Sequence, residues 1–273
     1  MNIYLFVWFT SITLKSATLF KVMSLLTVFY RFSEENPGSK PRPDGFCKRK
    51  CLENFLECFP TSNVNLVADG VTDETFAWLS GKVARVERTE LKNGGKVFTH
   101  VLRRIMKELK PEDLVYLVED DYIHLTGSEE VLKEGLQIGD YVTLYDCPDK
   151  YLDHIAQSQF DGTQVMIQGG GEMSRVRQTT PSFTHWKETS STTLTFATRA
   201  GNLTRDYITM FKWSFQSGDF NMFHDLIHKN GRRLVSSIPG LATHCHLPWI
   251  TRNRKIFEIL GLREVSLELP TSP

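Results

Sequence analysis

Leu114-Val115-Tyr116-Leu117-Val118-Glu119-Asp120-Asp121-Tyr122 is the stretch on which the fold reading turns. Five apolar residues run straight into three carboxylates. A short, unbroken apolar run of this kind reads as a strand buried on both faces, the type parallel sheets use. Upstream, Val97–Leu109 has the spacing of an amphipathic helix and is closed by Lys110-Pro111. Before it come a weaker strand at Val83–Arg88 and a short helix at Thr72–Leu79, with a Thr N-cap and acids in its first turn. Further back lie a strand at Asn63–Ala68 ending in Asp69-Gly70 and a helix at Lys48–Phe59. A Pro-bearing loop, Ser33–Phe46, follows a first strand at Leu25–Tyr30. This β-α-β-α-β-α-β order predicts an α/β fold with a mostly parallel central sheet and helices on its faces. Such sheets bind ligands at the carboxyl ends of their strands. There the chain places Arg31, Asp69-Gly70 and Glu119–Asp121.

Downstream, the pattern predicts a helix at Glu129–Gln137, a strand at Tyr141–Tyr145 and a loop at Asp146–Tyr151. Ile155–Arg177, with Gly169-Gly170-Gly171, reads as an excursion or hairpin; the glycines lack the order of a phosphate-binding fingerprint. A strand at Thr192–Ala197, helices at Arg205–Phe215 and Phe220–Lys229, and a strand at Leu234–Ile238 complete the pattern, with His244-Cys245-His246 beyond. Residues 23–273 read as one domain.

The chain has 273 residues, 32 basic and 32 acidic, with 41% apolar and 23% charged. These values exclude a disordered chain and a disulfide-stapled mini-protein. The charge balance argues against a general nucleic-acid binder. Cys47, Cys51 and Cys58 fall at helical spacing and lack the paired short steps of a zinc site, so they read as small core residues in a reducing compartment. Asn202-Leu203-Thr204 is a glycosylation sequon, relevant only in a lumenal domain. The apolar run Ile3–Phe20 makes residues 1–22 an extension, a membrane anchor or, less readily, a signal. As an anchor it carries its Lys and Arg flanks on the C-terminal side, which would keep the body of the chain cytoplasmic and membrane-associated.

Three adjacent carboxylates at a buried strand end repel one another unless a cation compensates. Strand alternation would turn Glu119 and Asp121 to one side and Asp120 away. Two carboxylates there suit a hard divalent ion, with phosphate oxygens filling its shell. The plain alternative is a solvated acidic turn.

VYLVEDDY in this setting resembles the DxD-type motif of GT-A glycosyltransferases of the broad family-2-like group, with Glu119 where the first Asp usually stands. VEDDYIHLTGSEEVLKEG followed by YVTLYDCPDKY is similar to bacterial and viral proteins assigned to that fold. SGDFNMFHDLIHKNGRRLVSSIPGLATHCH resembles the stretch in which an acid-Asp pair opens a helix and a final His follows; Gly218 stands where an acid is common. The resemblance implies transfer of a sugar from a nucleotide-diphosphate sugar to an acceptor hydroxyl, most simply with inversion. Asp69, Glu119 and Asp120 would meet base and ribose, and Arg31 the base or diphosphate. Asp121, with His244 or His246, would hold Mn²⁺ or Mg²⁺. Asp219 would be the base, and Trp186, Lys187 and Glu188 would face the acceptor, with Tyr122 and His124 beside the acids. Asp219 as a plain helix N-cap, Trp186 as core and the two His as loop residues are the structural alternatives. A catalytically silent nucleotide- or glycan-binding protein is the rival from another class. A sugar nucleotidyltransferase is a third reading, set back because its Gly-rich, Arg/Lys-bearing first loop is missing after Leu25–Tyr30.

Overall fold

Apolar alternation on the first strand sorts the core into two layers. β1 (Leu26–Ser33) sends Val28, Tyr30 and Phe32 to one face and Phe29 to the other. A computed structural model describes residues 25–34, 41–151, 177–178, 184–216, 218–247 and 249–262. Residues 1–22, the Gly169–Gly171 run and most of the excursion around it lie outside these residues. None of the described helices is long and apolar enough to cross a membrane.

Beside β1 stand β2 (Asn63–Asp69) and β4 (Leu114–Glu119), with β3 (Arg85–Thr89) outside β2, all parallel. Their register aligns the strand ends: Ser33 faces Asp69, Asp69 faces Thr89, and Arg31 faces both Val67 and Glu119. The sheet continues from β4 through β9 (Phe196–Arg199), β6 (Tyr141–Thr143), β10 (Leu234–Ile238), β8 (His185–Glu188) and β7 (Arg177–Gln178). Among the described strands of this sheet, only β9 and β8 run against the rest. A two-stranded ribbon pairs β5 (Tyr122–His124) with β11 (Ala242–His244).

On one face, α1 (Lys48–Cys58), α2 (Asp73–Lys82) and α4 (Ser128–Gly135) bury Leu52, Phe55, Leu79 and Leu132. On the other, α3 (Gly94–Glu108), α5 (Ala200–Ser214) and α6 (Asp219–His228) bury Phe98, Leu102, Leu203 and Phe223. α7 (Arg254–Leu260) packs under a small satellite core. Thr72 caps α2, its hydroxyl accepting from Thr75 N–H.

Several boundaries differ from the sequence expectation. Thr192–Thr195 is not strand. Its hydroxyls instead bond outward, Thr192 to Thr143 and Thr195 to Glu119, so the ladder starts only at Phe196. α5 begins at Ala200, five residues before the expected start, with Asn202 bonded to the Asp140 carbonyl and Thr198 hydroxyl. Asn202 is therefore buried within a helix and does not present its sequon. The three helix-spaced cysteines also part company. Cys47 caps α1, Cys51 packs with Cys245 and Ile123, and Cys58 joins the main core beneath His124.

Candidate functional site

A cleft of about 410 Å³ opens at the carboxyl ends of β1, β2 and β4. Arg31, Asp69, Glu119, Asp120, Asp121 and His244 all line it. Topology predicts that Arg31, Asp69 and the acidic triplet share one edge; the register of β1, β2 and β4 puts them there, and His244 joins them.

The carboxylates do not alternate as a continuing strand would make them. β4 stops at Glu119, and Asp120-Asp121 form a turn, so all three reach the cleft, each with its own cation. Glu119 lies 3.5 Å from Arg31, whose guanidinium stacks over Phe98 and donates to the Leu194 carbonyl. Asp120 accepts from Ser33 N–H at 2.8 Å and pairs with Lys48 at 3.0 Å. Asp121 accepts from Arg42 and His244 Nε2, each at 2.9 Å and both on Oδ2. β11 delivers His244 by pairing it opposite Tyr122, and the two rings stack 5.4 Å apart and nearly parallel. The Cys245 N–H closes the arrangement on the Asp121 carbonyl.

Burial acts on both turn acids, with opposite outcomes. Burial pushes Asp120 up to about 6, opposed by Lys48 and aided by the neighbouring Asp121 charge. Burial also pushes Asp121 up, but His244 and then Arg42 outweigh it and hold this carboxyl well below the usual range. One oxygen is left over: Asp121 Oδ1 is buried and makes no hydrogen bond.

The far wall is built by the segment after β2 and β3. Asp69 accepts from the Thr89 hydroxyl and Leu91 N–H. Gly70 turns the chain at φ +60°, a conformation side chains resist. Lys92, Asn93 and Gly94 carry this wall to the start of α3, where Asn93 caps the helix by accepting from Lys96 N–H.

Other expected site residues lie elsewhere. Asp219 opens α6, accepting its neighbour's Phe220 N–H, and is not among the cleft-lining residues. Phe220 sits 6.0 Å from Lys150, which donates to Ser191 in the loop leading to Thr195 and Glu119. The α6 start thus lies one loop beyond the cleft. His246 meets the His244 ring edge-on, with centroids 5.5 Å apart, but does not line the cleft. Trp186 is 1% exposed in the main core, packed where Gly135 leaves room, so it offers no face to a sugar. Lys187 is equally buried and pairs with Asp146, and Glu188 pairs with Arg233. Tyr122 and His124 are fully buried. Burial drives His124 down to about 3, so it stays neutral, bonded to the Tyr116 hydroxyl at 2.8 Å.

Sequence reading missed Arg42, Lys48, Ser33 and Lys92. Lys48 had one usable signal, as the first residue of the helix after β1. Arg42 sits in a Pro-bearing loop with no periodicity. Arg31 from β1, Arg42 from the loop and Lys48 from the start of α1 all line the cleft.

No protein-family model and no curated protein sequence matches the chain. Among solved structures it is similar to TarS from S. aureus, at 13% identity and a TM-score of 0.44 over 78% of this chain and 35% of that one. The chain thus spans about a third of TarS. It is also similar to 4-diphosphocytidyl-2C-methyl-D-erythritol synthase from Anaerococcus prevotii, at 12% identity and 0.45 over 88% and 96% of the two chains. A third likeness is to CMP:2-keto-3-deoxy-manno-octonic acid synthetase complexed with CTP, at 11% and 0.47 over 78% and 89%.

Proposed function

We propose that the chain is a transferase acting on a nucleotide-activated sugar, with its nucleotide bound in the cleft at the ends of β1, β2 and β4. The observation that carries this reading is the pairing of three adjacent carboxylates with Arg31, Lys48 and Arg42 at one strand end. A solvated acidic turn needs no such partners. A site that takes up and releases a polyphosphate does, because cations held by carboxylates can be re-partnered to phosphate.

The donor set fits a divalent ion of the Mg²⁺ or Mn²⁺ type, which one or two carboxylates hold while substrate phosphates complete the shell. Asp121 Oδ1, buried and unpartnered, would be the first ligand, with Asp120 or Glu119 beside it. Among the described residues no group of three His, Cys, Asp or Glu is preformed to hold an ion, so in this reading substrate phosphates would supply the remainder. When bound, such an ion neutralises charge developing on the leaving phosphate. The chain's own groups do the rest. His244 and Arg42 hold Asp121 ionised and oriented, Lys48 and Arg31 meet phosphate oxygens, and Asp69 accepts hydrogen bonds from ribose hydroxyls.

Glycosyl transfer to an acceptor hydroxyl is the main reading, with Asp219 as the base where the donor's sugar reaches from the cleft to the start of α6 and the acceptor hydroxyl lies between them. Nucleotidyl transfer to a sugar is the second. It is favoured by Arg42 and Lys48, which line the β1 side of the cleft as a triphosphate clamp would. Product analysis separates them. Release of nucleoside diphosphate from a sugar nucleotide, dependent on Mn²⁺ and lost in Asp219→Asn, supports the first. Release of pyrophosphate from a nucleoside triphosphate plus a sugar acid or sugar phosphate supports the second. Neither product, with a folded protein that still binds nucleotide, returns the silent binding protein.

A further inference from the structure

α5 carries an apolar row that the fold does not use. Ile208, Phe211 and Phe215 are 76%, 39% and 50% exposed. Their steps of three and four place them on one helical stripe running onto the C-cap. The rings of Tyr207, Phe211 and Phe215 form a chain, with centroids 5.9 and 5.4 Å apart. The other exposed large apolar side chains among the described residues, Leu25 and Ile259, belong to different elements.

Cations flank this row. Arg205 and Lys212 are exposed on α5 itself. α3 lies alongside, joined where Arg103 donates to the Tyr207 hydroxyl and Thr99 meets Ser214. Its exposed Lys96, Arg103 and Lys107 share one stripe, by steps of seven and four. The nearby acids are occupied or remote. Asp206 turns inward to Tyr141 and Arg232, Asp225 is held by Trp213, Lys212 and Lys229, and Glu108 is clamped by Arg104. Glu112 is exposed only at the far end, where α5 begins. The whole chain has as many acids as bases, so this cation excess is a local feature.

We propose that the α3–α5 face docks on an anionic lipid surface, with Ile208, Phe211 and Phe215 entering the headgroup–acyl boundary and the flanking cations meeting lipid phosphates. A row parallel to a helix axis suits a plane. A second copy is the poorer occupant. A handful of apolar side chains falls short of the roughly 800 Å² per partner that a stable dimer buries. Two-fold pairing would also set these cations against their own copies. The α3 end of the face adjoins the cleft through Asn93 and Gly94, so docking would hold the cleft rim beside the lipid. The inference does not depend on the chemistry assigned to the cleft, nor on residues 1–22.

The test is co-sedimentation of the full chain with vesicles of phosphatidylcholine alone or mixed with phosphatidylglycerol. The double variants Phe211→Ser/Phe215→Ser and Lys107→Glu/Arg205→Glu, and the single Ile208→Ser at the most exposed position, are compared by melting temperature to confirm folding. Wild type should partition onto the anionic vesicles in a salt-sensitive way, and each double variant should lower the partition coefficient by about tenfold or more. Three results overturn the proposal: variants that bind anionic vesicles as wild type does, wild type that binds neither vesicle or both equally, or a dimer that the Phe variants dissociate with vesicle binding unchanged.

Discussion

Replacing Asp121 with Asn keeps the shape of the side chain and removes its charge. In the folded protein Asp121 Oδ2 accepts from Arg42 and from His244, both at 2.9 Å, and the paired side chains are only 18% and 10% exposed. Asn can set its carbonyl oxygen in that place and keep both contacts, but it leaves the Arg42 cation without its counter-charge and puts an amide with no acceptor where Oδ1 lies buried. A hydrogen bond to a charged group is worth about 1.5–3 kcal/mol, and stranding one partner of a buried pair costs about 3–5 kcal/mol. Relief from burying the carboxylate offsets part of this, so a net loss of about 3 kcal/mol is expected. For a chain of this size that is a fall in melting temperature of roughly 6–12 °C. The sign with pH follows from the depressed carboxyl. A native pKa below the unfolded value contributes stability that is present above roughly pH 4 and fades as pH falls toward the native value. The gap between wild type and Asp121→Asn should therefore narrow below that point. Thermal unfolding followed by circular dichroism, at neutral pH and through an acid series, measures both. A variant that melts within about 2 °C of wild type at neutral pH would refute the described constellation, as would a gap that stays constant into acid.

Lys48→Ala removes the partner of Asp120 and one cleft cation; nucleotide affinity should drop about tenfold by calorimetric titration, the usual worth of one charge-assisted contact. His124 should remain neutral from pH 8 down to roughly 5 by imidazole resonance titration. Its depressed pKa also means that stability falls by about 1.4 kcal/mol per pH unit as pH drops below its unfolded value near 6.5. Gly135→Ala would place a methyl 2.5 Å from Trp186 and 2.6 Å from Val142, both core atoms. A loss of about 1–3 kcal/mol in chemical denaturation is expected, with nucleotide binding retained.

The parallel half of the sheet was legible because each of its elements announces itself locally. LVYLV has no polar interruption, and Val97, Val101, Leu102 and Ile105 repeat on one face of α3. Cleft residues at strand ends were legible for the same reason, since topology sends Arg31, Asp69 and the acidic triplet to one edge. β5, β8 and β11 are short, and their pairing partners are remote in sequence, so no local periodicity marks them. Arg42 was hidden because a loop imposes no spacing on the side chains it delivers, and Lys48 because the first residue of a helix lies outside its apolar repeat. Trp186 reads in sequence as either a sugar platform or a core residue; its burial against Gly135 shows that the core takes it. The triplet's alternation was misread because β4 ends at Glu119, and a turn obeys no two-residue period.

The most direct measurement of the central claim is hydrogen exchange, followed by mass spectrometry, with and without a nucleotide diphosphate and Mn²⁺. The account predicts metal-dependent protection confined to peptides around Ser33, Asp69-Gly70, Lys92–Gly94 and Glu119–Asp121, abolished in Asp121→Ala. Protection elsewhere, or a folded protein that no nucleotide protects, would contradict it.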